Sequence, residues 1–374
     1  MKPTYATLRT DLRLFVLVSL ILTLIGFVFI YSSSSAYAIA KCGGQGSYYV
    51  RRQFFGFILG FIALCVARWL PLNFLKRMSP LLFLGSLGLT ALTMIPGFAV
   101  HIHGSSRWLS LAGIAFQPSE FLKVTLILYL AYLLEKREHQ TMILLRAYLP
   151  LFVIIGITSI ILLKQPDFGL TVTLALTSFA LIFISQRQLK PLWYSILALL
   201  PLIGYLIIFK PYRLHRILTF LDPWADPQGA GFQIIQSLIA IGSGGLWGVG
   251  ITHSKQKFFY LPMQHTDFIF SIIAEETGFI GASLLVALFA TLVYVGLRIA
   301  RSMQQSFSLF ACTGYVVLIG LQAFINLAVA TGIAPTKGIG LPFVSYGNTA
   351  LIANMMMIGI IMNCVASDHE NLRA

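Results

Sequence analysis

Residues 14–31 read LFVLVSLILTLIGFVFIY, eighteen consecutive residues without a charge. A helix of about 20 apolar residues, rising about 1.5 Å per residue, matches the hydrocarbon thickness of a bilayer. Lys2, Arg9 and Arg13 precede this run, and Ala36-Tyr37-Ala38 after it resembles a signal cleavage site. The run is longer than the usual apolar region of a signal peptide, about 7–15 residues, so the sequence predicts an uncleaved first helix. Comparable runs follow at 54–70, 79–96, 119–134, 145–163, 169–186, 191–209, 268–297, 307–330 and 344–366, the fourth span being the shortest. The 374 residues are 57% hydrophobic and 10% charged, against about 25% charged in a soluble domain. Neither a soluble enzyme nor a disordered chain fits that composition. The chain reads as an all-α polytopic integral membrane protein with about ten transmembrane helices, a single membrane domain over 1–374. Its net charge of +14 is dispersed along the chain, so no nucleic-acid stripe is expected.

Lysine and arginine set the orientation. Lys2/Arg9/Arg13, Arg68/Lys76/Arg77, Lys136/Arg137/Arg146, Arg187/Lys190 and Arg298/Arg301 crowd into short loops on one side. The positive-inside rule makes those loops cytoplasmic and puts both termini inside. The outer loops are then 36–53, 97–118, 164–168, 210–267 and 331–343. The fourth, between helices 7 and 8, is far longer than an ordinary connection, which points to function. Within it Phe232–Ile241 (FQIIQSLIAI) has helical apolar spacing and predicts a short amphipathic helix at the membrane surface.

Acidic residues are few, twelve in all, so their positions carry information. Asp11, Glu135, Glu138, Asp368 and Glu370 fall on the cytoplasmic side; Glu120, Asp167, Asp222, Asp226, Asp267, Glu275 and Glu276 fall in outer loops, at outer helix ends or within a span. An ionisable group in a span is a functional candidate by default. Glu120 lies in QPSEFLK (117–123), where Pro118 suits a first helical turn and Lys123 shares its face. The pair reads either as a local ion pair at a helix start or as a carboxylate and ammonium facing a polar cavity. Asp267, in YLPMQHTDFIF (260–270), opens the eighth span and reads as an N-cap or as a carboxylate presented to substrate. Glu275 and Glu276 follow about 12–14 Å further along the helix, and at least one should face the bundle interior. Arg107, Lys164, Arg213, Arg216, Lys255 and Lys257 make the outer side basic. Such a surface suits a lipid with a phosphate or pyrophosphate head, or ordinary anionic lipid.

Other signals are weaker. GSGGLWGVG (242–250) follows no strand and has neither dinucleotide nor P-loop spacing, so it reads as a flexible turn. His101 and His103 form a lone HxH. Cys65, Cys312 and Cys364 lie in apolar runs and Cys42 in a loop, with no spacing for a zinc site or a disulfide framework.

Four blocks in order make the chain similar to the SEDS family of bacterial peptidoglycan polymerases. They are GSSRWL (104–109) through QPSEFLK (117–123); QPDFG (165–169); 220–250 with HTDFIF (265–270); and PTKG (335–338) through LPFVSYG (341–347). WADP (224–227), Gln256-Lys257 before Tyr260-Leu261-Pro262, and PTKG resemble the division branch (FtsW-like) more than the elongation branch (RodA-like), whereas the short N-terminal tail is more like the latter. Met263 stands where the family usually has Glu, and Asn348 where a second Gly usually follows Tyr-Gly.

The resemblance implies a SEDS-type fold and an inverting glycosyltransferase that polymerises lipid II into β-1,4 glycan strands. Undecaprenyl pyrophosphate leaves, in septal wall synthesis at the inner membrane. It implies Asp267 as general base or positioner of the acceptor hydroxyl, with Glu120 and Lys123 as catalytic cavity residues. The expected substrate contacts are Arg107, Trp108, Asp167, Arg213, Arg216 and Lys257, with His265, Thr266, Glu276 and Ser345, and with Gln236 and Ser237 on the amphipathic segment. A divalent cation, Mg or Mn, would help the pyrophosphate leave. The implied partners are a class B penicillin-binding protein (a transpeptidase) and other divisome membrane proteins. The rival readings are an elongation polymerase, a lipid II flippase and a noncatalytic scaffold.

Overall fold

The computed structural model describes residues 5–41, 43–95, 97–102, 105–111, 114–137, 144–185, 218–229, 231–258, 260–336 and 338–371. Its helices are α1 (Tyr5–Lys41), α2 (Tyr48–Trp69), α3 (Leu72–Leu92), α4 (Pro118–Arg137), α5 (Leu144–Lys164), α6 (Phe168–Ser185), α7 (Phe232–Ser243), α8 (Ile269–Ser302), α9 (Ser306–Ala330) and α10 (Asn348–Asn371). The expected seventh span, 191–209, lies outside the described residues; each of the other expected spans falls on a helix. By length and composition, six described helices are apolar enough to cross a membrane. They are α1, α2, α6, α8, α9 and α10; charges near the ends of α3 and α4 lower their hydropathy. α1 runs unbroken through Ala36–Ala38.

The helices pack as a membrane bundle. α9 lies at its centre, against α4, α6, α8 and α10, while α2 lies along α10 and α1 along α8. Tyr315 of α9 is fully buried, and its hydroxyl donates to the Val124 carbonyl of α4 at 3.0 Å. Large apolar side chains such as Leu24, Phe61, Leu84 and Phe279 point outward and are exposed, as lipid-facing residues must. Polar side chains turn inward or bond their own helix: Ser19, Thr23 and Thr177 donate to carbonyls four residues back. This is how hydroxyls are satisfied where no water reaches.

Ion pairs and a cap tie the end expected to be cytoplasmic. Lys76 meets Glu135 at 2.5 Å and Arg298 meets Asp11 at 3.2 Å. The Asp368 carboxylate accepts the backbone N–H groups of Gln304 and Gln305 just before α9.

Two features of the opposite end differ from the sequence reading. Segment 97–118, expected as a plain loop, carries an antiparallel sheet of β1 (Ala99–Ile102), β2 (Ser105–Leu111) and β3 (Ile114–Phe116) in that order. Val100 pairs with Trp108 and Leu109 with Phe116. Gly104 and Gly113 between short apolar and aromatic runs are the hairpin signal in the sequence. The second feature is a break in α8 at Gly278, at φ 68° and ψ −167°. The 242–250 turn clasps this break. Val249 and Gly250 donate to the Glu275 and Glu276 carbonyls, and Phe279 and Ile280 donate back to Gly245 and Leu246. The turn is thus a bonded element of the fold, with Gly244 and Gly248 needed for close approach to the Ala274 and Glu276 carbonyls.

Candidate functional site

Asp267 sits in a short irregular segment before α8. The Met263 carbonyl accepts the N–H groups of Thr266, Asp267 and Phe268, at 3.1, 3.1 and 3.3 Å. Met263 itself adopts a left-handed φ of 55°. α8 starts at Ile269 with Phe268 at the N-cap and no side-chain capping bond, so the N-cap reading of Asp267 does not hold. Its backbone is held from outside the helix. Asn326 of α9 donates to the Asp267 carbonyl at 2.8 Å and to the Ile339 carbonyl at 2.7 Å. Ser345 donates to the Thr266 carbonyl at 2.5 Å, and Tyr346 N–H donates to the His265 carbonyl at 2.9 Å. The His265 ring lies among Tyr49, Tyr346 and Tyr37, with centroids 4.6, 5.7 and 5.8 Å away. The Asp267 carboxylate is half-buried, and the chain passes it at Gly338, where a Cβ would stand 3.5 Å from Oδ2.

Glu120 and Lys123 form the ion pair that their spacing predicts, at 2.6 Å. Pro118 opens α4 and puts Glu120 in its first turn, where the helix dipole favours a carboxylate. Lys123 is 1% exposed. Its ammonium also donates to Asn354 of α10 at 3.1 Å and to Gln322 of α9 at 3.4 Å. The pair is therefore a junction of three helices as well as a local one. Gln322 and Asn326 lie one turn apart on α9, about 6 Å by helical rise. One helix face thus holds Lys123 with one amide and the Asp267 backbone with the next.

Arg107 projects from β2 onto the turn between α5 and α6. Its guanidinium donates to the carbonyls of Gln165 and Pro166 and stands 3.6 Å from Asp167. Trp108 beside it is half-buried. The Asp167 carboxylate accepts the Leu170 N–H at 3.2 Å and so caps α6. Burial pushes the Asp167 carboxyl above its ordinary value; Arg107 and the Leu170 N–H oppose this, and the negative charge of Glu120 adds to it.

Other expected substrate contacts are placed differently. Lys257 and Glu276 meet each other at 3.3 Å, both buried. Among the described residues their partners, such as Ser32 and the Thr252 carbonyl, are internal, so neither forms an open substrate wall. Glu275 is buried too, and accepts the Ser254 hydroxyl at 2.5 Å and the Lys255 N–H at 2.9 Å. Ser237 of α7 is buried and bonds Ser271 and the Ala330 carbonyl, both at 2.6 Å, which pins α7 to α8 and α9. Gln236 on the same helix is half-buried. The Ser345 hydroxyl is engaged with Thr266 and with the Leu341 N–H at 2.8 Å, a latch rather than a free contact. Arg213 and Arg216 lie outside the described residues. Among the described residues, no group of three or more His, Cys, Asp or Glu comes together to hold a metal.

The sequence reading missed Gln53, Gln322, Asn326 and Asn354. For Gln322, Asn326 and Asn354 the signal was available: an amide inside an apolar span is costly unless it is partnered. Each has a partner, Gln53 accepting the Gly347 N–H at 3.1 Å.

Comparison with known proteins gives the family and the fold. Residues 12–370 match the family model for the cell cycle proteins FtsW, RodA and SpoVE. A probable peptidoglycan glycosyltransferase FtsW of Geobacter sp. (strain M18) is 42% identical over 93% of this chain and 94% of its own length. Stage V sporulation protein E of Bacillus subtilis is 37% identical over 94% and 95%. Among solved structures, a chain of a peptidoglycan synthase complex that coordinates polymerization and crosslinking superposes with a TM-score of 0.79 at 30% identity, covering 95% of this chain and 98% of that one. The rod shape determining protein RodA of Thermus thermophilus gives 0.70 at 25% identity, over 95% and 96%. With so nearly complete a match to the family model and to relatives of this identity, the chain belongs to the FtsW/RodA/SpoVE family.

Proposed function

We propose that this protein is a peptidoglycan glycosyltransferase of the division type, which polymerises lipid II at the outer face of the cytoplasmic membrane. The observation that carries the reading is the α9 face. Asn326 holds the backbone of Asp267, and Gln322 one turn away holds Lys123 beside Glu120. A carboxylate on a braced backbone and a cation on the same scaffold suit a single-displacement glycosyl transfer to a hydroxyl. The acceptor C4 hydroxyl attacks the anomeric carbon of the chain-end sugar, and its proton passes to the Asp267 carboxylate. The bond to undecaprenyl pyrophosphate breaks with inversion. A positioned base contributes about 10²–10⁴-fold to such a step. Arg107, which is only half-buried, is the described cation able to meet the leaving pyrophosphate, while buried Lys123 sets the charge of Glu120.

Both termini in the cytoplasm, a septal location, a class B penicillin-binding protein as activating partner and further divisome contacts are parts of the same proposal. The solved complex that couples polymerization to crosslinking supports such a partner. Mg usually binds through one or two carboxylates plus substrate phosphates rather than a protein cage, and among the described residues no set of three or more His, Cys, Asp or Glu converges. A cation would arrive with the pyrophosphate, and no step here depends on it.

The test is glycan-strand formation from lipid II by purified protein, with the partner's nucleophilic serine replaced. Wild type should polymerise faster with that partner than alone. Asp267→Asn should fold and insert yet lose polymerisation by at least about 10²-fold. Wild-type rates from Asp267→Asn would overturn the assignment.

A further inference from the structure

Residues 257–258 and 260–267 have no regular secondary structure, so the place of Asp267 depends on what ties this segment down. Asn326, Ser345 and Tyr346 hold its C-terminal end. The N-terminal end has a different anchor. Gln264 is buried, and its amide donates to the Ser33 carbonyl of α1 at 2.7 Å and to the Lys257 carbonyl at 2.9 Å. Lys257 is locked in turn. Its ammonium donates to the Thr252 carbonyl, to Glu276 at 3.3 Å and to Ser32 at 3.5 Å. The Ser32 hydroxyl bridges both Glu276 oxygens, at 2.6 and 2.8 Å, and the Ser254 N–H reaches Glu276 at 3.4 Å. The pair thus closes the chain from Lys257 to Glu276 into a loop with Asp267 inside it, and α1 holds that loop at Ser32 and Ser33.

A buried ion pair contributes little stability over apolar packing of the same volume, and its best-attested use is to specify one arrangement. Here the arrangement specified is the approach to Asp267. We propose that Lys257, Glu276 and Gln264 are positioning residues for Asp267: the buried pair fixes the Lys257 backbone, and Gln264 transmits that position to the segment bearing the carboxylate. This rests on the reading of Asp267 given above. Lys257 and Glu276 then act without touching substrate. Their loss displaces the carboxylate while leaving substrate binding in place. A shift of about 1 Å at a catalytic group can cost about 10²-fold in rate.

The experiment measures kcat and half-saturating lipid II for purified protein with its inactivated transpeptidase partner. The variants are Gln264→Met, the double variant Lys257→Met/Glu276→Gln, Lys257→Arg and Asp267→Asn. The double variant removes both charges together, so that no lone charge is left buried. Gln264→Met and the double variant should lose about 10²-fold in kcat, with half-saturation and the thermal midpoint close to wild type. Lys257→Arg, which keeps the charge, should recover much of the rate. Wild-type kcat in Gln264→Met and the double variant, beside an inactive Asp267→Asn, would overturn this inference and leave the catalytic reading standing. An equal fall in rate and thermal midpoint, unrelieved in Lys257→Arg, would make the residues merely structural. An active Asp267→Asn would remove the catalytic reading, and this inference with it.

Discussion

Asp167 shows how one residue serves two ends. It caps α6, and it is buried beside Arg107. Burial is the largest influence on its carboxyl and raises its pKa above the ordinary value. A group whose folded pKa is raised holds more protons folded than unfolded. Stability from it is fully present below about pH 4, the unfolded value, and is lost as pH rises through the folded value. Asp167→Asn should therefore flatten the decline in thermal midpoint from about pH 4 upward. The two proteins should match at about pH 4 and separate above it, with Arg107 still holding the Gln165 and Pro166 carbonyls in the variant. Thermal unfolding in detergent across pH checks this; identical pH profiles for both proteins would refute it. The ion pair of Glu120 and Lys123 was legible, because a spacing of three along a helix is a local property. The partners of Lys123 on α9 and α10 were not, since they come from residues about two hundred positions away.

At the scale of the element, α8 is the instructive case. Its 34 residues would extend about 51 Å, well beyond a hydrocarbon core of about 30 Å. The part after Gly278 is long enough to span by itself. The half before the break carries Glu275 and Glu276 and leads back to Asp267. A broken helix exposes carbonyls on one side and N–H groups on the other, and both sets need partners. The 242–250 turn supplies them, and this sets Gly244 and Gly248. A Cβ on Gly278 would lie 2.3 Å from the Gly248 nitrogen, and one on Gly248 would lie 2.2 Å from the Glu276 carbonyl oxygen. Both residues also have φ values, 68° and 81°, that side chains rarely adopt. Gly278→Ala should destabilise by about 3 kcal/mol or more, combining backbone strain and overpacking. Gly242→Ala, in open space at the end of α7, should cost nothing and is the control. Denaturant titration of both variants in micelles distinguishes the two outcomes. The turn composition was visible in the sequence, but nothing local said that it would meet a helix break more than twenty residues later.

For the whole molecule, orientation is the property on which the catalytic proposal depends. Asp11, Glu135 and Asp368 gather ties at one end of the bundle, while Asp267 and the α9 amides work at the other. Gln228 is exposed in the segment between the single 3₁₀ turn Pro223–Ala225 and α7. Gln228→Cys, in a protein whose native cysteines at 42, 65, 312 and 364 are replaced, should react with a membrane-impermeant thiol reagent applied to intact cells. Reaction only after the membrane is opened would reverse the topology and place the proposed site on the wrong side.

Some properties of this molecule follow from the sequence alone: its membrane class, the extent of most helices, and the carboxylates and cations available at one end. All depend on run length, composition and charge density, which are local. Which face of each helix turns inward is a different matter. In a soluble protein the contrast between apolar core and water writes that choice into the periodicity. In lipid both faces of a helix can be apolar, so the contrast is missing. Ser32 against Glu276, Asn326 against Asp267 and Gln264 against Ser33 were decided only when the bundle closed. Each polar group there had to find a partner in the absence of water, and those pairings are what turned a list of outer-side residues into a braced carboxylate.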